Sequence, residues 1–127
     1  MIHVACKDFL APDGAAGVVN LSDELHYVCR SFGLSPEQCH ESPPDGLPVI
    51  LLQPQDGRHT QGEDSLVDFV HPDDCVYLLG ASNGQLTLNI EVAAKIYIPN
   101  TPTWSMFASQ AAAIALYDRF VKRGSYG

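Results

Sequence analysis

Apolar residues along this chain gather in short continuous runs separated by polar, proline- and glycine-bearing stretches. Ile2–Cys6, Leu47–Leu52, Cys75–Leu79 and Ile96–Ile98 are such runs, and their valine, isoleucine and leucine content predicts strands buried on both faces, as in a parallel sheet. Leu86–Val92 alternates apolar and polar residues and predicts a further strand, while Ser65–Val70 reads equally well as strand or helical turn. Two stretches carry the helical period instead. In the first, Leu25, Val28, Cys29 and Phe32 share an inner face, Ser22 stands as the cap and Gly33 stops the helix. In the second, Met106, Ala113, Tyr117 and Phe120 form a stripe, with Gln110, Ile114 and Val121 beside it. Thr103 or Ser105 would cap that helix, Arg119, Lys122 and Arg123 suit its negative end, and Gly124 suits a left-handed C-terminal position. Ser35–Gln38 reads as one helical turn.

Strands and helices in this order predict one α/β domain over residues 1–127, with a mostly parallel sheet and helices on both faces. Two loops then stand out. The strand Cys75–Leu79 runs into Gly80-Ala81-Ser82-Asn83-Gly84, and the strand Ile96–Ile98 runs into Pro99, with Pro102 shortly after. Proline removes a backbone donor and fixes φ, so it stops a strand. Loops that follow buried parallel strands are where open α/β sheets take ligands.

The last third of the chain also carries a motif. Ile98-Pro99-Asn100, then Ser105-Met106-Phe107-Ala108-Ser109, Ala113 and Leu116-Tyr117 resemble the C-terminal signature of the SPOUT superfamily, specifically its TrmH/SpoU branch. Gly80 and Leu86 match the glycine and leucine of that branch's second motif, and Gly17 with Phe32-Gly33 match parts of its first. The resemblance implies a C-terminal trefoil knot, a homodimer formed through the C-terminal helix, and RNA 2′-O-ribose methyl transfer from S-adenosylmethionine. It also implies a cofactor seat made by Leu79, Gly80, Ala81, Ile98, Pro99, Ser105, Met106 and Phe107. Three departures bear on chemistry. Leu21, or Tyr27 in the other register, stands where the branch has its catalytic arginine; Ser82 stands for a glutamate and Phe107 for an asparagine. Methyl transfer to a hydroxyl needs that hydroxyl's proton drawn away during attack. Arg30 is the nearest substitute in sequence, with a solvated outer-face residue as the alternative reading.

Charge changes the picture of partners. Fifteen acidic residues against seven basic ones leave a formal charge of −8, which disfavours binding to RNA by this chain alone. Three of the seven bases lie in the last nine residues, so any positive patch is local. No run approaches a membrane span and no basic segment with an apolar run marks a signal peptide, which predicts a cytoplasmic protein without a membrane partner. Cys6, Cys29, Cys39 and Cys75 form no C-x-x-C pair and are expected to be reduced and mostly buried. Cys39-His40 and His71-x-x-x-Cys75 do not share a ligand-pair spacing, so no metal is expected.

Three readings stand on these residues: an active RNA methyltransferase, a non-catalytic SPOUT-fold pseudoenzyme serving as a dimeric or protein-binding module, and an unrelated small α/β binding protein.

Overall fold

The structure, a computed structural model, describes residues 1–11, 20–53, 64–80, 90–99 and 106–124. Six strands form one sheet: β1 (Ile2–Ala5), β2 (Cys39–His40), β3 (Val49–Gln53), β4 (Asp64–Ser65), β5 (Cys75–Leu79) and β6 (Ala94–Tyr97). Their order across the sheet is β2-β1-β5-β3-β6-β4, and every neighbouring pair is parallel. The two helices are α1 (Leu21–Ser31) and α2 (Ala108–Arg123). The all-parallel arrangement follows from the sequence: β3 is VILLQ and β5 is CVYLL, and apolar runs of this kind need cover on both faces.

Side-chain alternation divides the core in two. Val4, Ile50, Leu52, Cys75, Tyr77, Leu79 and Ile96 face the larger cluster, where they meet Leu25 and Cys29 of α1 and Ala112, Ala115 and Leu116 of α2. Ala5, Val49, Leu51, Val76 and Leu78 form a smaller cluster on the reverse face, with Leu47 and Val92 against it. Both described helices therefore lie on the same face, a correction to the expectation of helices on both. Leu86–Asn89 fall outside the described residues, and Ile90–Val92 are not strand.

Helix ends differ from expectation in instructive ways. Asn20, not Ser22, caps α1: its side chain accepts from the Asp23 amide at 3.0 Å. Ser22 instead donates to the Phe9 carbonyl at 3.0 Å and ties α1 to the turn Lys7–Leu10. Helix α2 starts later than the sequence suggests, because Gln110 Oε1 accepts from the Phe107 amide at 2.7 Å and makes Phe107 the N-cap. Gly33 (φ 83°) and Gly124 (φ 75°) occupy left-handed positions after α1 and α2, as glycine allows at low cost.

The face of α2 is also corrected. Its buried residues are Ala108, Ser109, Ala112, Ala115 and Leu116, so small alanines let the helix settle close to the sheet. The expected stripe lies to one side of that face, and Ile114, Tyr117 and Val121 point outward. Among the described residues no helix is long and apolar enough to cross a membrane.

Candidate functional site

Strand order decides where the expected loops meet. Strand β3 lies between β5 and β6, with Leu52 in register with both Leu79 and Ile96, and Gln53 in register with Tyr97. Gly80, which follows β5, and Ile98-Pro99, which follow β6, therefore leave the same carboxyl edge on either side of Gln53. Ile98 is buried and packs in the larger core. Met106 packs on that core from the chain's return, and Phe107 begins α2 with its ring partly exposed. Six of the eight expected cofactor residues (Leu79, Gly80, Ile98, Pro99, Met106, Phe107) thus lie along one edge or on the entry to α2. Ala81 and Ser105 lie outside the described residues.

Next along that edge, β1 ends beside β5. Its Cys6 thiol donates to the Gly80 carbonyl at 3.7 Å and accepts from the Asp8 amide at 3.4 Å. Burial pushes the Cys6 thiol up to about 12, so it acts here as a protonated bridge between two loop backbones and not as a nucleophile. Asp8 is itself buried at this edge, which the apolar run Ile2–Cys6 did not announce. An acid two residues beyond the apolar run Ile2–Cys6 was the available signal.

Arg30 is elsewhere. Helix α1 starts at the carboxyl end of β1, where Ser22 meets Phe9, and runs back until Gln38, beyond it, donates to the Ile2 carbonyl at 2.9 Å. Arg30 is therefore near the amino edge, exposed, with its guanidinium 5.9 Å from the Tyr27 ring centroid. Its placement fits the solvated reading, and the structure does not bring it to the loops.

A cavity of about 400 Å³ lies at that same amino edge, lined by Phe32, Gly33 and Leu34 after α1 and by Leu116, Arg119 and Phe120 of α2. Its position opposes the carboxyl-edge rule for ligands. Its cations are also committed: Arg119 donates to the Asp73 carbonyl at 3.0 Å and to the Tyr77 hydroxyl at 3.1 Å, and Arg123 pairs with Asp73 at 2.6 Å.

No known family model matches the chain, and no curated protein matches it. At the carboxyl edge Gly80 and Ile98-Pro99 stand on either side of Gln53, with the buried Asp8 nearby, and among the described residues no arginine reaches them.

Proposed function

We propose that this chain is a SPOUT-like protein of the RNA 2′-O-ribose methyltransferase type that seats S-adenosylmethionine at the carboxyl edge of its sheet. One observation carries the reading: β5 and β6 flank β3 in register, so Gly80 and Ile98-Pro99, which open the two loops that the resemblance assigns to the cofactor, leave the same edge on either side of β3. The trefoil knot is part of this reading through the resemblance alone.

In this reading backbone groups of Gly80, Ala81, Ile98 and Met106 would hydrogen-bond the adenosine and Leu79, Pro99 and Phe107 would pack against it, with Ser105 the remaining residue that the resemblance assigns to the cofactor. When bound, the cofactor would supply an electrophilic methyl group to a ribose hydroxyl. The chain's own part is to hold the two loops against β3 and to exclude water with apolar side chains. With a net charge of −8, RNA would need a second subunit or a protein partner to present positive charge.

The second reading, a non-catalytic dimeric module with or without cofactor, is favoured by Arg30 at the far edge and by the outward apolar side chains of α2. That helix surface would join two copies.

Calorimetric titration of ligand-free protein with S-adenosylmethionine and S-adenosylhomocysteine tests the cofactor seat. Micromolar binding that Ala81→Trp abolishes is expected; no heat at millimolar ligand, or binding indifferent to Ala81→Trp, would overturn it. Transfer of labelled methyl to RNA would then decide between the two readings.

A further inference from the structure

His3 of β1 and His40 of β2 meet across the edge of the sheet, with His3 Nδ1 2.8 Å from His40 Nε2. The register sets this up. Ala5 pairs with His40, so His40 shares the reverse face of the sheet with Ala5 and with His3, two residues earlier on β1. Their rings are tilted by 36° with centroids 5.0 Å apart, and both residues are partly exposed.

We propose that His3 and His40 form a two-imidazole site for a divalent first-row transition-metal ion, with Cu(II) held most tightly. The spacing carries the choice of geometry. Metal–nitrogen bonds of about 2.0 Å set at a right angle put their nitrogens about 2.8 Å apart, whereas a tetrahedral angle needs about 3.3 Å. The hydrogen bond already holds the two nitrogens at the cis spacing of a tetragonal ion, and each ring must also turn so that its lone pair points about 45° off the line between them for both to meet one ion. Imidazole nitrogen suits copper and nickel, and copper stands highest in the affinity order of such ions. Among the described residues no group of three or more ligating side chains surrounds a common point, so water completes the coordination at this open edge.

The protons balance simply. The hydrogen bond uses one ring N–H directed at the other ring's lone pair; for both nitrogens to bind an ion, the donating ring moves its proton to its other nitrogen through solvent. Each ring stays neutral and no net proton is released.

Titration of the full chain with Cu(II) in a weakly chelating buffer, followed by calorimetry and electron paramagnetic resonance, tests the site. One equivalent with a nitrogen-rich tetragonal spectrum is expected, weakened about tenfold or more by either His3→Gln or His40→Gln and unchanged by His26→Gln. Weakening by His3→Gln alone would place the ion on His3 and the backbone nitrogens at the start of the chain, and would overturn the pair. Equal binding by every variant would overturn it as well. Should a variant fail to fold, the unaltered protein still decides: substoichiometric Cu(II) is expected to broaden the ring-proton resonances of His3 and His40 first, and broadening that begins at other histidines sinks the proposal.

Discussion

The Tyr77 hydroxyl lies 2.6 Å from His71 Nδ1, and the opposite ring nitrogen, Nε2, lies 2.7 Å from an Asp118 carboxylate oxygen. A neutral imidazole with its proton on Nε2 satisfies both contacts, donating to Asp118 and accepting from the hydroxyl, while Arg119 donates to that same hydroxyl at 3.1 Å. The chain of contacts joins β5 to the last two turns of α2. Lys122 extends it by pairing with Asp118 at 2.8 Å and donating to the Phe69 carbonyl at 2.8 Å. The network sits at the amino end of β5, opposite the candidate cofactor loops, and its consequence for them is positional. It fixes one end of α2, and the other end begins at Phe107.

Acid is expected to weaken the fold through this contact. The His71 side chain has no solvent exposure, and burial outweighs the Asp118 carboxylate and holds its pKa below the ordinary 6.5. Between that lowered value and 6.5 the unfolded chain has bound a proton that the native state has not, so stability falls as pH falls through this window and is flat above it. His3, lowered mainly by burial, acts in the same direction. Urea midpoints measured from about pH 8 to about pH 5 should hold level and then decline below about pH 6.5. His71→Gln should make that decline shallower without removing it; a slope that His71→Gln leaves unchanged would contradict the account.

Truncating the hydroxyl isolates the hydrogen bonds from the charge. Tyr77→Phe keeps the ring and leaves His71 Nδ1 without its donor in a closed interior, at a cost of about 1–3 kcal/mol. Chemical denaturation at neutral pH measures this, and a loss smaller than about 0.5 kcal/mol would show that the contact is dispensable.

This network was not legible in the sequence, whereas the sheet was. VILLQ and CVYLL announce buried parallel strands by composition alone, and both strands form within a residue or two of where the apolar runs place them. Strand β2 escaped notice, and β4 met only the open strand-or-turn reading of Ser65–Val70, most of which is a helical turn at Leu66–Asp68, because two residues are too few for any period to register. His71, Tyr77 and Asp118 are linked only by the fold: a break at Pro72 separates the first two, and 47 positions separate His71 from Asp118. The six described cofactor candidates were legible as loop motifs, but their shared edge depends on β3 lying between β5 and β6, which no local pattern encodes.

Helix α2 gives a direct contrast between adjacent residues. Leu116 is 2% exposed and Tyr117 is 59% exposed. Leu116→Ala removes packed volume and should cost about 2–5 kcal/mol. Tyr117→Asp should change monomer stability little, yet it places charge on the surface formed with Ile114 and Val121. Sedimentation of the unaltered chain at micromolar concentration is expected to show a dimer that Tyr117→Asp dissociates. A monomeric mass for the unaltered chain would remove the dimer from both functional readings.

Thiol reactivity should follow burial. Cys6, Cys29 and Cys75 are buried with raised thiol pKa values, chiefly by desolvation, and Cys39 is the partly exposed one. Ellman's reagent is expected to modify Cys39 first in native protein and the other three only on unfolding. Fast reaction of Cys6 without unfolding would show that the loop edge around Gly80 opens readily, since its thiol contacts that carbonyl.

The separation of Arg30 from the carboxyl edge yields the prediction that bears most on chemistry. Arg30 is exposed, and its contact among aromatic rings is with Tyr27, one turn away on the same helix. Arg30→Ala should therefore alter stability by less than about 0.5 kcal/mol and leave S-adenosylmethionine affinity unchanged, whereas Ala81→Trp should abolish that affinity. If methyl transfer to RNA is detected, it should survive Arg30→Ala unless a second subunit brings its Arg30 to the first subunit's loops. Mixing Arg30→Ala with Ala81→Trp protein separates these cases. Activity recovered on mixing two variants that are each inactive would place the arginine across a dimer interface, and activity retained by Arg30→Ala alone would leave proton removal to another group.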